Sequence, residues 1–410
     1  MSSMFCAGAG SAELVFSDRY FPNDGYSAIH DPLHCKARIL TKGSVRGGFV
    51  TLELPSIRPW ELTDELRAYA ARLISAPYEN TWLVMTHDLS APHVPPEEPG
   101  RTLHMDMLRR AILQAVEQAG NSLRLARLSY GESRCHVNAN RDMESVDGWW
   151  VGIDGKGPSD KRLSLLRFSD EMDRPIAALY SYAIKSSVLE ETVMSDGLRY
   201  ASGDVTGRAG MKAEETLGCP VLFVMGAAGD QVPRRKAHYL SLDGNRRFKP
   251  VDLREEGYAA LESLSDELAL SIRTAFDAAN QPMDDPSLAF DHDILLCAGK
   301  KPYPKTLPKP PVLQYDYEPD QDQTLDIWRI RMGESVLLGV KPEVTTPIFH
   351  SLEGQCPVPH LLMATLVNGG QGYIATDWDY ERFTYPGLNT PFQPGTDSAF
   401  IARVANLFRD

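Results

Sequence analysis

The segment Thr86-His87-Asp88-Leu89-Ser90-Ala91-Pro92-His93 places two histidines and an aspartate close together. Imidazole and carboxylate groups are common ligands of a divalent metal. The segment follows the apolar run Trp82-Leu83-Val84-Met85 directly, so His87 is expected at the end of a buried strand, where chemistry is often placed. Taken alone, such a cluster is more often a hydrogen-bonded turn. A second candidate is Gly226-Ala227-Ala228-Gly229-Asp230 after the run Val221 to Met225. Small residues there let backbone N–H groups approach a ligand, with a tight turn as the plainer reading. A third is Asn138-Ala139-Asn140-Arg141, just after Cys135-His136. Arg141 could hold a carboxylate or stabilise an oxyanion, although a solvated arginine is the default. Two more segments put titratable groups at strand ends. Lys341-Pro342-Glu343 follows Val336 to Val340, and Gly369-Gly370-Gln371-Gly372-Tyr373 precedes Tyr380 and Tyr385.

The elements that must position these groups are legible as runs and periodicities. Phe49 to Leu54, Ala177 to Ala183, Val221 to Met225 and Leu361 to Val367 read as strands. Ile327 to Met332 and Ser335 to Val340 flank Gly333-Glu334, the signature of a two-residue hairpin. Helices are expected from a Thr63 cap, over Met105 to Ala119, over Arg254 to Ala279 and over Phe400 to Phe408. Lys300 to Pro311, rich in proline and lysine, reads as a surface crossover. The order is mixed, neither strictly βαβ nor all-β. It predicts an α/β fold, a layered domain with a large mixed β-sheet, spanning 1–410 as a single domain.

Composition narrows the partners. The 410 residues are 43% apolar, enough for one large or two ordinary cores. A net charge of −13 argues against nucleic acid and against anionic membrane surfaces. No apolar run is long enough to span a bilayer, and Met1 to Cys6 lacks a basic or apolar leader pattern. Six scattered cysteines without a Cys-x-x-Cys pair read as free thiols in a reducing compartment. A cytoplasmic protein with a small-molecule substrate is therefore expected. A homo-oligomer is compatible with all of this.

Together, and in this order, the segments resemble the neutral/alkaline non-lysosomal ceramidases, from about Ala9 to about Thr390. The opening His30-Asp31-Pro32-Leu33 looks like the start of bacterial members. His87-Asp88-Leu89-Ser90-Ala91-Pro92-His93 is similar to a segment whose first histidine binds zinc in that family. Asn140-Arg141 matches its active-site Asn-Arg pair, Ser202-Gly203-Asp204 a Ser-Gly-Asp before a helix, and Gly229-Asp230 with Pro233 a Gly-Asp-x-x-Pro turn. Glu343 and Tyr373 fall at the family's glutamate and tyrosine ligands, and Tyr385 at its catalytic tyrosine. The resemblance implies metal ligands His87, Glu343 and Tyr373, catalytic roles for Arg141, Tyr385, Lys185 and Asp230, and substrate contacts from His93, Asn140 and Gly229.

The departures bear on the metal. The family's second zinc histidine lies where this chain has Tyr182-Ala183-Ile184-Lys185, so Lys185 takes that position. Leu89 and Val232 replace a histidine and a serine, and the immunoglobulin-like domain and secretion signal of the characterised ceramidases are not expected here. An ammonium near a zinc ion is repelled: unit charges ~4 Å apart interact by about 4 kcal/mol at an effective dielectric near 20, and a dication roughly doubles that. Zinc would then need Lys185 neutral or turned away, or rescue by His93, His136, Glu190 or Glu191. Otherwise Lys185 pairs with Glu343 in a metal-free site. Three functions follow: a hydrolase of the N-acyl (amide) bond of a soluble small molecule, zinc-dependent if the metal binds; a metal-free enzyme using Lys185, Glu343, Tyr373 and Tyr385 for cyclisation, condensation or rearrangement; or a non-catalytic binder.

Overall fold

The computed structural model describes residues 4–17 and 19–408. Met1 to Ser3, part of the stretch read above for a leader, lie outside them. The strands are distributed over several mixed sheets rather than gathered into one. The first sheet contains Cys6–Glu13, His34–Lys42, Val45–Leu52, Thr81–Met85 and the short Arg124–Leu125. The second contains Arg127–Arg134, Arg162–Ser169, Pro175–Tyr182, Val221–Met225 and the short Met283–Asp284. The third contains Leu288–Lys300, Pro319–Met332, Ser335–Val340 and His360–Ala364.

Side-chain alternation explains how these sheets stack. Along Thr81–Met85, Leu83 and Met85 enter a core that includes helix residues Leu66, Leu108, Val205 and Leu264. Trp82 and Val84 enter another core, shared with Leu222 and Val224 of the second sheet and Trp328 and Leu337 of the third. A further core joins the other face of the third sheet to the helices Thr346–Gln355 and Thr396–Leu407. The layers therefore run helices, first and second sheets, third sheet, helices. The continuous apolar runs are strands covered on both faces.

Each principal sheet contains a parallel pair. These are Val45–Leu52 with Thr81–Met85, Pro175–Tyr182 with Val221–Met225, and Ser335–Val340 with His360–Ala364. Their carboxyl ends are tied together: Thr365 N donates to Met225 O at 2.8 Å, and Met85 N to Leu366 O at 3.4 Å. Crevices outside the carboxyl ends of parallel strands are where α/β folds bind ligands. The candidate segments all leave from this end or pack against it.

Several boundaries differ from expectation. The helix placed after Thr63 starts at Trp60, with Pro59 as its cap. Thr63 lies a turn inside and is buried, its hydroxyl donating to Ile57 O at 3.3 Å. The helix expected from Met105 begins at Gly100, and the longest one spans Glu256–Ala278. The strands expected to reach Leu54, Ala183 and Val367 end at Leu52, Tyr182 and Ala364, because the chain there turns into the crevice. The hairpin is as expected: Met332 pairs with Ser335, and Gly333 takes φ +60. Lys300, placed on the surface crossover by composition, is instead buried, donating to the carbonyls of Lys301 and Leu388. All six cysteines are free, and five are buried. Among the described residues no helix is long and apolar enough to cross a membrane.

Candidate active site

His87 stands just beyond Thr81–Met85 with φ +55, a backbone region that a residue with a side chain seldom occupies. Its neighbours hold it there. Thr86 N donates to Leu52 O, Asp88 N to Leu54 O, and Leu89 N to Ser186 O at 2.8 Å. The last bond zips this loop to the one carrying Lys185. Glu343 and Tyr373 come from the short strands Glu343–Val344 and Tyr373–Ile374, a separate two-stranded sheet that follows the strands of the third. They face each other in a short parallel ladder, and Glu343 N donates to Gly372 O at 2.8 Å. Arg141 comes from Asn138–Ser145, which pairs with Gln231–Pro233, and its N–H donates to Asp230 O at 2.9 Å.

These side chains meet. The Lys185 ammonium, 1% exposed, lies 2.7 Å from Glu343 Oε2 as an ion pair rather than an aligned hydrogen bond. His87 Nε2 lies 3.2 Å from Glu343 Oε1, and its Nδ1 is 3.1 Å from Pro55 O. Arg141 sits over the rings of Tyr373 and Tyr385, 5.2 and 4.8 Å from their centroids, and Lys185 Nζ is 5.4 Å from that of Tyr373. The two phenol rings are edge to face at 5.8 Å. The group opens on a cavity of about 520 Å³.

The charges are set by burial and neighbours. Burial, and then Arg141, push the Lys185 ammonium down to about 8, with Glu343 resisting. Burial pushes the Glu343 carboxyl up, but Lys185, His87 and Arg141 outweigh it and hold it well below the usual carboxylate range. Burial raises Tyr373 and Tyr385, so both are neutral phenols able to donate. Burial opposes the charge on Arg141, yet the Glu343 carboxylate and a hydrogen bond with Tyr373 keep it firmly cationic.

No protein-family model matches the chain, and no curated protein matches it. Solved structures do, and two of them show the likeness. The crystal structure of neutral ceramidase from Pseudomonas aeruginosa superimposes with a TM-score of 0.73 at 17% identity, covering 99% of this chain and 74% of that one. A ceramidase complexed with C2 gives 0.72 at 17% identity, covering 98% and 74%. The chain has the neutral ceramidase fold. In this neutral ceramidase fold, His87, Lys185, Glu343, Tyr373, Arg141 and Tyr385 line one cavity, as the sequence pattern led one to expect of a shared pocket.

Other expected site residues are placed elsewhere. His93 lies on the cavity wall but is more than half exposed, paired with Asp24 at 2.7 Å. Asn140, Gly229 and Asp230, expected beside the residues above, do not line the cavity. Asp230 is buried behind it, accepting from Thr346 N and Oγ1 at 2.9 Å and from Asn140 Nδ2 at 3.1 Å. Adjacent strand residues point to opposite faces, so a strand that turns Arg141 to the cavity turns Asn140 away. Gly229 is a close-packing position: a Cβ there would meet Val344 backbone at 2.9 Å. Of the four rescue ligands, Glu190 and His93 line the cavity. Sequence reasoning passed over Arg58, Ser187 and Lys236, which line it too. Their signal was weak, since each stands outside any motif.

The donor set fits a ceramidase-type zinc poorly. Glu343 already neutralises a buried ammonium, and a dication beside it would face both Lys185 and Arg141. His87 Nδ1 contacts Pro55 O, which leaves Nε2 as the ring nitrogen that faces Glu343. Elsewhere among the described residues, Asp160, His350 and Glu353 bring three ligand atoms within 4.8 Å of one another, a spacing that could hold a metal ion. None of them lines the cavity, and Arg162 already pairs with Asp160 and Glu353.

Proposed function

We propose that the cavity is the active site of an enzyme acting at an acyl carbonyl of a small molecule, with the amide of an N-acyl compound the leading substrate. Lys185 supplies the positive charge for which the related fold uses a metal. The observation that carries this reading is the buried Lys185–Glu343 ion pair at the convergence of the strand ends. The volume is that of a small-molecule site.

Glu343 holds Lys185, and His87 steadies Glu343 from its other oxygen. The Lys185 ammonium and the Tyr385 hydroxyl then donate to the carbonyl oxygen as it gains charge. In hydrolysis, water oxygen bonds to the carbonyl carbon and the C–N bond breaks. Lys185 gives its proton to the departing nitrogen and takes one from the attacking water, so that the ammonium is restored and the second water proton stays with the acid.

A specific observation favours a second reading beside it. Glu343, held far below its ordinary range, is a weak base for activating water. The same donors can instead assist a cyclisation, condensation or rearrangement in which no water adds.

Turnover of a panel of N-acyl amines in 18O-labelled water separates these. Label in the released acid supports hydrolysis; an unlabelled product with an altered skeleton supports the second reading. No product at stoichiometric enzyme would refute both and leave a binder. Metal analysis of the purified chain is the companion test: near-stoichiometric zinc that is lost in His87→Ala would overturn the metal-free site.

A further inference from the structure

Arg141 is 5% exposed, yet among the described residues it makes no ion pair, and its Nε and Nη2 have no hydrogen-bond partner. A buried guanidinium normally has a counter-ion, because its desolvation is otherwise uncompensated. The carboxylates of the cavity are committed elsewhere. Glu343 pairs with Lys185 and His87, and Glu190 with Lys236. Asp142, next along the strand, turns to the opposite face, where burial favours its neutral form.

The cavity as a whole shows the same imbalance. Its lining holds the cations Arg58, Arg141, Lys185 and Lys236 against the carboxylates of Glu190 and Glu343. The chain carries a net charge of −13, so this site is positive against an acidic background. Such a cleft focuses anions. Ser187 adds a buried hydroxyl without a partner in the same lining. A planar guanidinium fork matches a carboxylate or a phosphate. A neutral N-acyl amine would leave it unmatched.

We infer that the substrate carries a permanent oxyanion, a carboxylate or a phosphate ester, and that this group docks on Arg141 with help from Ser187. The inference rests on the proposed function for its acyl carbonyl, and on Arg141 for its anion. The reacting carbonyl then lies toward Lys185 and Tyr385, and the anion fixes its orientation.

Calorimetric titration of the intact chain with three matched ligands tests it: N-hexanoylglycine, its uncharged amide N-hexanoylglycinamide, and N-hexanoyl-phosphoethanolamine. At least one anion is expected to bind about tenfold or more tightly than the amide, the scale of a charged hydrogen bond. Raising the salt concentration should narrow the gap. Which anion wins distinguishes carboxylate from phosphate. Arg141→Gln should erase the preference and Ser187→Ala reduce it, while the wild-type ligand comparison stands even if Arg141→Gln fails to fold. Equal affinity for all three, or binding of none, overturns the inference. An anion preference without turnover of any amide would sink the proposed function and leave the inference standing.

Discussion

The strand Asn138–Ser145 separates two polar regions of opposite character. On one face Arg141 looks into a cavity whose charged side chains are mostly cationic. On the other, Asn140 and Asp142 line a second cavity of about 410 Å³ with Asp154, Asp230 and Asp379, beside Trp149 and Trp378 and with no lysine or arginine. In the rear region most polar atoms are answered by protein, Asp142 Oδ1 and Thr345 Oγ1 being the exceptions. Asp230 accepts from Thr346 and Asn140, and Asp379 from Thr376 and Thr384. In the front region Arg141 and Ser187 retain donors without partners. Satisfied groups build structure, whereas unsatisfied buried donors facing a cavity are what a ligand completes. Adjacent letters in the sequence can thus belong to different jobs.

The contrast can be broken at its strongest point. Lys185→Met strands the buried Glu343 carboxylate. Turnover should fall about a thousandfold, and urea denaturation should show a loss of about 3–5 kcal/mol. Lys185→His removes the ammonium at the same place, and metal analysis should then find zinc that the parent chain does not hold. Unchanged turnover in Lys185→Met would remove the central claim.

Front and rear are expected to separate next. Arg141→Gln should lower kcat/KM on the order of tenfold to a hundredfold. Asn140→Ala and Asp230→Asn should instead cost stability, about 1–3 kcal/mol each by denaturant midpoint, with kcat/KM nearly unchanged. Gly229→Ala belongs with them, because its Cβ would press on Val344, at about 1–3 kcal/mol. Equal kinetic losses on both faces would dissolve the comparison.

The smallest expected effect sharpens the rear region. Burial, and then the neighbours Asp379 and Asp230, raise the Asp142 carboxyl well above its ordinary range, against the pull of Arg141. A carboxyl raised in the folded state binds a proton more tightly there than when unfolded. Its favourable contribution is complete below the unfolded value, near 4, and is lost as pH rises through the folded one, by up to about 1.4 kcal/mol per pH unit. Asp142→Asn should be more stable than the parent at pH 8, with the gap closing toward pH 4. A gap that does not vary with pH would mean that the proton is not held.

Much of the frame was legible before any coordinates. Continuous apolar runs such as Trp82 to Met85 marked strands covered on both faces, and Gly333-Glu334 marked its hairpin. The ends were less legible, because a strand that turns into the crevice keeps its apolar residues: Leu54, Ala183 and Leu366 remain buried after the ladder stops. In the site, residues at the carboxyl ends of parallel strands were found by their position after such runs. Asn140, Gly229 and Asp230 were grouped with them but do not line that cavity, since proximity along the chain says nothing about which face a side chain takes. Ser187 and Lys236 escaped notice because ordinary residue types carry no signal until folding puts them beside a cavity.

The sequence by itself determined the residue types, including the lysine where a histidine would complete a zinc set, and the alternation and apolar runs that build the sheets. These are local properties, written in neighbouring residues. Only the tertiary structure decided that Lys185 lies against Glu343, that His87 reaches the carboxylate's other oxygen, and that Arg141 stands without a counter-ion. Those are relations between groups as far as 256 positions apart. They arise because the three parallel pairs end at one place, and burial there turns ordinary charges into strongly interacting ones.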